Sequence, residues 1–157
     1  MKKDIFIDTN VIGNFSSQLD EGYKKLSLWL SNFNHNNPEN NAYIVVSPKL
    51  ISEYSRSLQH AKQNQTFVVI LSKMQKEDRR VMISNQQIKD FQNVHFTKSI
   101  WKKLSSNKED RDHIPVVLLS ERKFALTEDE NFTFDLRNFP KFKASVASRP
   151  QDLPFAE

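Results

Sequence analysis

The sequence predicts an α/β fold, a three-layer α/β/α sandwich around a mainly parallel central sheet. Short apolar runs of strand length occur at residues 5–7, 43–47 and 124–126, and segments with helical spacing of apolar residues lie between them. Strands that alternate with helices form parallel sheets covered by helices on both faces. The first and third runs each lead into a threonine and an acid, at the edge of the sheet where ligands bind in such folds.

Length and composition limit the possible function classes. The chain of 157 residues fits one domain, residues 1–157, with room for a sizeable core. It contains no cysteine, which excludes thiolate nucleophiles, disulfide frameworks and cysteine-ligated zinc sites. We find no signal-peptide core and no apolar stretch of membrane-spanning length, so we expect a soluble, cytoplasmic protein with no membrane partner.

Basic residues exceed acidic residues by a modest margin. The chain has 23 Lys and Arg against 19 Asp and Glu, which gives a formal charge of +4 and a pI near 9.3. Such a balance favours a polyanionic partner, for example a nucleic acid. Many basic residues lie in segments separate from the candidate acids, which is compatible with a basic rim around an acidic centre. These residues are Lys24, Lys25, Lys62, Lys73, Lys76, Arg79, Arg80, Lys98, Lys102 and Lys103.

The first predicted element is the strand over residues 5–7, which ends at Asp8. Thr9 and Asn10 follow at once. A buried strand that ends in a carboxylate brings that charge to the edge of the sheet, where an acid is a candidate metal ligand. Alternatively, Asp8 or Thr9 caps a following helix, as Asp and Thr commonly do. Within this stretch alone, both interpretations stand.

A helix, a loop, a second strand and a second helix follow. The first helix is predicted by apolar residues at helical spacing, Tyr23, Leu26, Leu30 and Phe33. A polar loop covers residues 32–41, and the strand over 43–47 leads to a helix opened by Ser47 as cap and Pro48 at the first helical position. Its inward stripe contains Ile51, Tyr54 and Leu58. Glu53 lies near one edge of this stripe, from which its carboxylate could reach over the end of the sheet or remain solvated on the helix surface.

The pattern of residues in the middle of the chain predicts mainly helices. We favour a helix from about Thr66, although the apolar run at residues 67–71 is also compatible with a strand. Residues 88–104 fit helices, and we expect Trp101 to pack in the core. Further on, Pro115 is tolerated only in the first turn of a helix, so that helix begins near Arg111 or Asp112.

Two acids compete for the start of this helix. Asp112 would place its carboxylate beside the positive end of the helix, with an apolar run at residues 116–119 buried behind it. It is either a cap or a member of a site, and Asp110 can take the same place.

The third apolar run repeats the arrangement at Asp8, since Thr127 and Asp129 follow it. Asp129 stands beside Asp8 if the two strands are neighbours in a parallel sheet. Asp8, Glu53, Asp112 and Asp129 then form a constellation that capping does not explain. Clustered carboxylates raise each other's pKa unless a cation neutralises them, and oxygen ligands suit Mg²⁺.

These residues carry a resemblance to the PIN domain family. Residues 4–12 resemble the opening of a PIN domain, where a strand ends in a metal-binding Asp followed by Thr and Asn or Ser. Residues 51–54 resemble the segment of its second acid, and residues 112–114 resemble that of its third acid. Residues 127–132 resemble its closing Thr-x-Asp-x-x-Phe region, and residues 145–150 resemble its last strand and the turn that follows. The match from residue 4 to residue 132 follows the family's order.

The resemblance implies a metal-dependent endoribonuclease, related to VapC-like toxins of toxin–antitoxin pairs, that hydrolyses RNA with Mg²⁺ or Mn²⁺ and an activated water. RNA, an antitoxin protein and a second copy in a homodimer would be its partners. Asn10 and Thr127 would orient the carboxylates, and His113 is expected to point elsewhere. The implied catalytic and metal-binding residues are Asp8, Glu53, Asp112 and Asp129, with Asp110 as the alternative to Asp112.

Three other function classes compete with an endoribonuclease. A catalytically inactive PIN-like module that binds RNA or protein is the main alternative. A DNA nuclease stays open, because no residue identifies the sugar. An aspartyl phosphotransferase needs a second Asp two residues after the first, and position 10 is Asn.

Overall fold

A five-stranded sheet organises the chain. The computed structural model describes residues 1–17, 19–60 and 62–157. Its strands are β1 (Lys3–Ile7), β2 (Ala42–Val46), β3 (Arg80–Met82), β4 (Phe124–Leu126) and β5 (Ser145–Ala147). Every pairing is parallel, and the spatial order is β3-β2-β1-β4-β5. β1 is therefore the middle strand, as expected for the strand that leads to Asp8.

Helices cover both faces of the sheet. They are α1 (Glu21–Ser31), α2 (Pro48–His60), α3 (Gln65–Lys76), α4 (Asn85–His95), α5 (Lys98–Lys103), α6 (His113–Leu118) and α7 (Glu130–Asn138). Right-handed crossovers place α1 to α3 on one face, because β1, β2 and β3 follow one another in one direction. The chain then crosses back to β4 and β5, which places α4 to α7 on the other face. In agreement, α1 packs on α3, and α6 packs on α4 and α7.

The predicted α/β class with a parallel sheet is confirmed, and one strand was not predicted. The strand at Arg80, Val81 and Met82 has three residues, of which none is fully buried. A run this short lacks a periodic apolar signal, and its pairing with β2 is what makes it a strand. The helix predicted from about Thr66 is α3.

The prediction that Trp101 is a core residue is wrong. Its side chain is 39% exposed on α5. One side of the indole contacts Phe96, with ring centroids 5.0 Å apart, and the Arg111 guanidinium lies 5.4 Å from its centroid. The helix α5 has six residues and no fully buried side chain, so it covers the edge of the core rather than entering it.

β1 lies at the centre of the core because helices and neighbouring strands cover it on every side. Ile5, Phe6 and Ile7 have no exposed surface. A central parallel strand is buried on both faces, so consecutive apolar residues are expected there rather than alternation. Within residues 1–17, 19–60 and 62–157, none of the helices has the length and apolar character that crossing a membrane requires.

Candidate functional site

Asp8 lies at the carboxyl end of the central strand. Its amide donates to the carbonyl of Leu126, 3.0 Å away, which continues the ladder between β1 and β4 by one residue. A 3₁₀ helix, Thr9–Ser16, begins immediately afterwards, and the Asp8 side chain makes no capping bond to it. Asp8 therefore occupies the N-cap position of this helix without capping it through its side chain, and its carboxylate stays at the sheet edge.

A threonine and an asparagine hold this carboxylate in place. Thr127 donates its hydroxyl to Asp8 Oδ2 over 2.7 Å, and accepts from the amide of Asp129 at 3.1 Å. The Asn10 side-chain amide reaches the same hydroxyl at 3.4 Å, and its carbonyl oxygen accepts from the amide of Glu128. Because Thr127 is fully buried, these bonds fix the geometry between the ends of β1 and β4.

Burial raises the pKa of Asp8, and the charge of Glu53 raises it further. The hydrogen bond from Thr127 and the charge of His113 act in the opposite direction without cancelling the rise. Asp8 is thus held in a place where its negative charge is costly. Perturbed carboxyl groups of this kind concentrate at functional sites.

Asp110 belongs to the same surroundings as Asp8. Burial makes the largest contribution to its raised pKa, and the charges of Asp8 and Asp129 come next. A hydrogen bond between protonated Asp110 and Asp129 adds to the rise. Asp129 itself caps α7, because its Oδ1 accepts from the amide of Phe132 at 3.0 Å. Asp129 therefore caps α7 and at the same time lies close to the other acids.

Asp112 is directed elsewhere. Its Oδ1 accepts from the Gln92 side chain at 2.9 Å, and its Oδ2 accepts from Lys49 Nζ at 3.0 Å. Burial opposes the ionised form, but the bonds from Gln92 and Lys49 outweigh it, and the pKa of Asp112 is lowered. The charges of Asp8 and Asp129 therefore bear on Asp110, whereas Asp112 has a lysine and an amide as partners.

The local backbone explains this choice between the two acids. Residues Asp110–Asp112 form a 3₁₀ helix ahead of α6. With about three residues per turn, side chains two positions apart on such a helix point in different directions. Asp110 and Asp112 therefore cannot both face Asp8. The structure favours Asp110, the alternative, over Asp112 as the third acid.

His113 lies in the site, contrary to the expectation that it points elsewhere. Its Nε2 is 2.7 Å from Glu53 Oε2, and its ring packs 5.7 Å from that of Phe6. The side chain is 2% exposed. A sequence signal existed, because His113 begins a buried run that continues through Leu118, and a buried imidazole needs a polar partner. That partner is Glu53, sixty positions away.

Tyr54 anchors the helix that carries Glu53. Its hydroxyl donates to the carbonyl of Ile7, the last residue of β1. Burial raises the pKa of Tyr54 well above its usual value, and the charges of Asp8 and Glu53 contribute. This tyrosine therefore fixes the middle of α2 against the end of the central strand, and Glu53 lies close enough to Asp8 for its charge to raise the pKa of Asp8.

The basic rim predicted from composition is not formed by the residues around β3. Lys73, Lys76, Arg79 and Arg80 lie at the amino end of that strand, whereas Asp8 lies at the carboxyl edge of the sheet. Arg79 is buried and donates to the carbonyls of two neighbouring elements and to Glu77. Arg79 therefore stabilises the fold, and all four cations lie far from the candidate site.

We refer to Asp8, Glu53, Asp110 and Asp129 together as the acidic site. Its carboxylate oxygens are the donors that hard divalent cations prefer, and a cation would offset the burial and the neighbouring negative charges that raise the pKa of Asp8 and Asp110. Among the side chains that the structure describes, no three His, Asp or Glu residues are already arranged as ligands of one ion. The acidic site thus has the oxygen donors that a hard cation such as Mg²⁺ would need, without a prearranged set of ligands.

Comparisons with family models, with curated proteins and with solved structures find no match to this chain. A parallel α/β fold hosts many unrelated activities, so it does not specify a function by itself. A functional conclusion therefore rests on the acidic site and the surface around it.

Proposed function

We propose that this chain is a PIN-like, metal-dependent endoribonuclease that hydrolyses RNA phosphodiester bonds. The observation that supports it best is the position of Asp8. It follows the central strand and is held by Thr127, and burial raises its pKa, with a smaller contribution from the charge of Glu53. Burial also raises the pKa of Asp110, and the charges of Asp8 and Asp129 add to that rise.

Each residue of the acidic site has a separate part in the proposal. Asp8 and Asp110 would hold the cation, and Asp129 would add its charge while it caps α7. When bound, Mg²⁺ or Mn²⁺ supplies positive charge for the phosphate and activates a water for attack. Thr127 fixes the orientation of the Asp8 carboxylate, and residues that orient ligands in this way influence metal affinity strongly.

Glu53 is a positioned carboxylate in this scheme. His113 binds one of its oxygens, and α2 is anchored to β1 through Tyr54. We assign Glu53 to the rim of the cation site, where it contributes charge beside Asp8. His113 acts as a positioning residue, because it contacts Glu53 and not the place of the substrate.

Biological partners form a finer part of the proposal. The size and predicted chemistry of the chain resemble those of cytoplasmic ribonuclease toxins, which bind an antitoxin protein and form homodimers. We propose the same partners here by analogy with the PIN family. Co-expression with the product of a neighbouring gene, followed by measurement of complex mass and RNA cleavage, tests this part separately.

The enzymatic proposal is tested by incubating the protein with labelled RNA and single-stranded DNA in the presence of Mg²⁺, Mn²⁺ or EDTA. We expect RNA cleavage with either metal and none in EDTA. Asp8→Asn is the diagnostic variant. Asp78→Asn is its matched control, because Asp78 is an exposed acid ahead of β3 at the opposite edge of the sheet. Cleavage in EDTA, or equal loss in both variants, contradicts the proposal.

A second candidate function is an inactive PIN-like module that binds RNA or protein. One observation favours it: in the described parts of the chain, no three acids or histidines are prearranged as ligands, and Asp112 is bound by Lys49. In this case RNA binding persists while no metal supports cleavage. The same assay, with a binding measurement added, separates the two functions.

A further inference from the structure

A cleft of about 700 Å³ opens beside the acidic site and follows α7. Its volume lies within the range of roughly 300–1,000 Å³ that is typical of ligand clefts. Thr127, whose hydroxyl binds Asp8, lines one end. Glu130, Phe134 and Arg137 line its wall with the spacing of one helix face. The cleft therefore begins at Thr127, which connects it to Asp8, and leads away along the helix; none of the four acids of the acidic site lines it.

Two arginines line the cleft without carboxylate partners. Arg137 donates through Nη2 to the carbonyl of Val146 at 2.9 Å, which holds its guanidinium against β5. Arg149 is exposed in the turn after β5. Over residues 1–17, 19–60 and 62–157, neither arginine forms an ion pair with an acid. A guanidinium in this condition is suited to a phosphate, with which it forms strong, directional hydrogen bonds.

An exposed phenyl ring lies next to these cations. Phe134 is 51% exposed, and it precedes Arg137 by three residues on the same face of α7. Its neighbours Phe132 and Phe139 are buried in the core, so the exposure of Phe134 is a property of this face. Single-stranded nucleic acids are bound by this combination of aromatic rings for bases and cations for phosphates.

The charge within the cleft is not uniform. Glu128 and Glu130 lie near the acidic site, and Arg137 is about 10 Å further along the helix than Glu130, given a rise of about 1.5 Å per residue. The near end therefore suits a phosphate only where a cation is present, whereas the far end suits a phosphate directly. This gradient fits a strand that runs from the acidic site along α7.

We propose that the cleft along α7 binds the single-stranded nucleic acid that flanks the scissile phosphate, with Arg137 and Arg149 on a neighbouring phosphate and Phe134 stacked on a base. This inference rests on the proposed nuclease function and names the substrate-binding surface of the same site. The guanidinium and phenyl contacts do not read the sugar, so both RNA and DNA strands would enter the cleft.

The test measures binding separately from cleavage. All variants are made in an Asp8→Asn background, and the fluorescence anisotropy of labelled oligo(U) and oligo(dT) is measured in EDTA at several salt concentrations. Arg149→Gln is preferred to a change at Arg137, whose bond to Val146 supports β5. We expect Arg149→Gln to weaken binding about tenfold, the loss typical of one charge-assisted hydrogen bond. The slope of log K against log salt should fall in magnitude by about 0.7.

Phe134→Ala provides an independent signature. Loss of one stacked base should weaken binding about tenfold, with the salt slope unchanged. Phe134→Tyr keeps the aromatic face and should restore affinity. Lys76→Gln is the control for the loss of one exposed positive charge, because Lys76 ends α3 at the opposite edge of the sheet. It should leave both affinity and slope unchanged.

The two proposals fail in different ways. Binding that is equal in the background protein and in the Arg149→Gln and Phe134→Ala variants overturns the cleft assignment, even where metal-dependent cleavage by the unmodified protein supports the nuclease function. Absence of binding to both oligonucleotides also overturns the cleft assignment. The nuclease function is contradicted only by the cleavage assay, through absence of cleavage with either metal, activity in EDTA, or equal losses in Asp8→Asn and Asp78→Asn.

Discussion

The two ends of β1 carry the same residue type in opposite surroundings. Asp4, near the amino end, is fully buried, and its carboxylate accepts from the amides of Glu121 and Arg122 at 2.9 and 3.0 Å. The guanidinium of Arg122 also donates to the Asp4 carbonyl. Asp8, just past the carboxyl end, has Thr127 as its strongest donor and Glu53 as a neighbouring charge.

This difference separates a structural acid from a functional candidate. At the amino end, donors surround the carboxylate, so its burial is compensated by hydrogen bonds. At the carboxyl end, burial raises the pKa of Asp8, with a smaller contribution from Glu53, and burial together with the charges of Asp8 and Asp129 raises the pKa of Asp110. A fold keeps carboxylates in such a place at a cost in stability, which a bound cation would offset. Five predictions follow this contrast, from the largest effect to the smallest.

Asp8→Asn should abolish most RNA cleavage, with a loss of at least about a hundredfold, because it removes the central carboxylate of the cation site. Its stability should equal or exceed that of the unmodified protein, since a neutral side chain replaces a costly charge. Initial cleavage rates and urea unfolding of the same preparations measure both effects. If Asp8→Asn were inactive because it is less stable, Asp8 would have a structural role like that of Asp4, and the contrast between the two residues would fail.

Asp4→Asn should have the reverse effect. The backbone amides of Glu121 and Arg122 lose a charged acceptor, which should reduce the free energy of unfolding by about 2 kcal/mol. Cleavage per folded molecule should remain unchanged, because Asp4 lies at the opposite edge of the sheet. Urea unfolding, and activity corrected for the folded fraction, provide the measurement. A specific loss of activity at full stability would contradict the structural role.

The pair Asp110→Asn and Asp112→Asn tests which acid completes the site. Asp110→Asn should reduce cleavage at least about tenfold. Asp112→Asn should change it by less than about twofold, because its partners are Lys49 and Gln92 and exposed ion pairs contribute little. Steady-state rates across a Mg²⁺ titration compare the two. The opposite ranking would restore Asp112 as the third acid.

Metal binding should stabilise the protein through the carboxyl end of β1, where Asp8 lies. A ligand that binds the folded state raises stability by about 2.7 kcal/mol at a hundred times its dissociation constant. We expect Mg²⁺ or Mn²⁺ to raise the unfolding midpoint of the unmodified protein and of Asp78→Asn, but not that of Asp8→Asn. Thermal unfolding with metal or EDTA measures this. An equal rise in all three proteins would place the ion elsewhere.

The smallest expected effect is on the pH dependence of stability in EDTA. The raised pKa values of Asp8 and Asp110 mean that the folded protein binds these protons more tightly than the unfolded chain. Their ionised forms therefore oppose folding at neutral pH, and this opposition fades as the pH falls through the folded-state pKa values.

An Asp8→Asn/Asp110→Asn double variant tests this sign. Its advantage in unfolding free energy should be largest at neutral pH and should shrink as the pH falls toward the ordinary carboxyl pKa of 3.8. Asp112 provides the opposite case, because its pKa is lowered. Its ionised form favours folding above the unfolded-state pKa, and this contribution is lost as the pH falls through the folded-state value. Asp112→Asn should therefore be least stable, relative to the unmodified protein, at neutral pH.

The sequence by itself determined the α/β class and the position of the acid that follows the central strand. Residues 5–7 form an apolar run that only a strand buried on both faces requires, so the element and its end at Asp8 could be predicted. The same holds for α2, whose start is marked by Ser47 and Pro48. These features are local, because a few neighbouring residues specify them.

Only the tertiary structure decided which side chains meet at the edge of the sheet. The 3₁₀ turn ahead of α6 directs Asp110 and Asp112 to different partners, and neither residue type specifies that turn. His113 meets Glu53 across sixty positions of sequence, and β3 is a strand only because it pairs with β2. Contacts between distant segments depend on how whole elements pack. The direction of the side chains in the turn ahead of α6 decides whether Asp110 or Asp112 lies near Asp8.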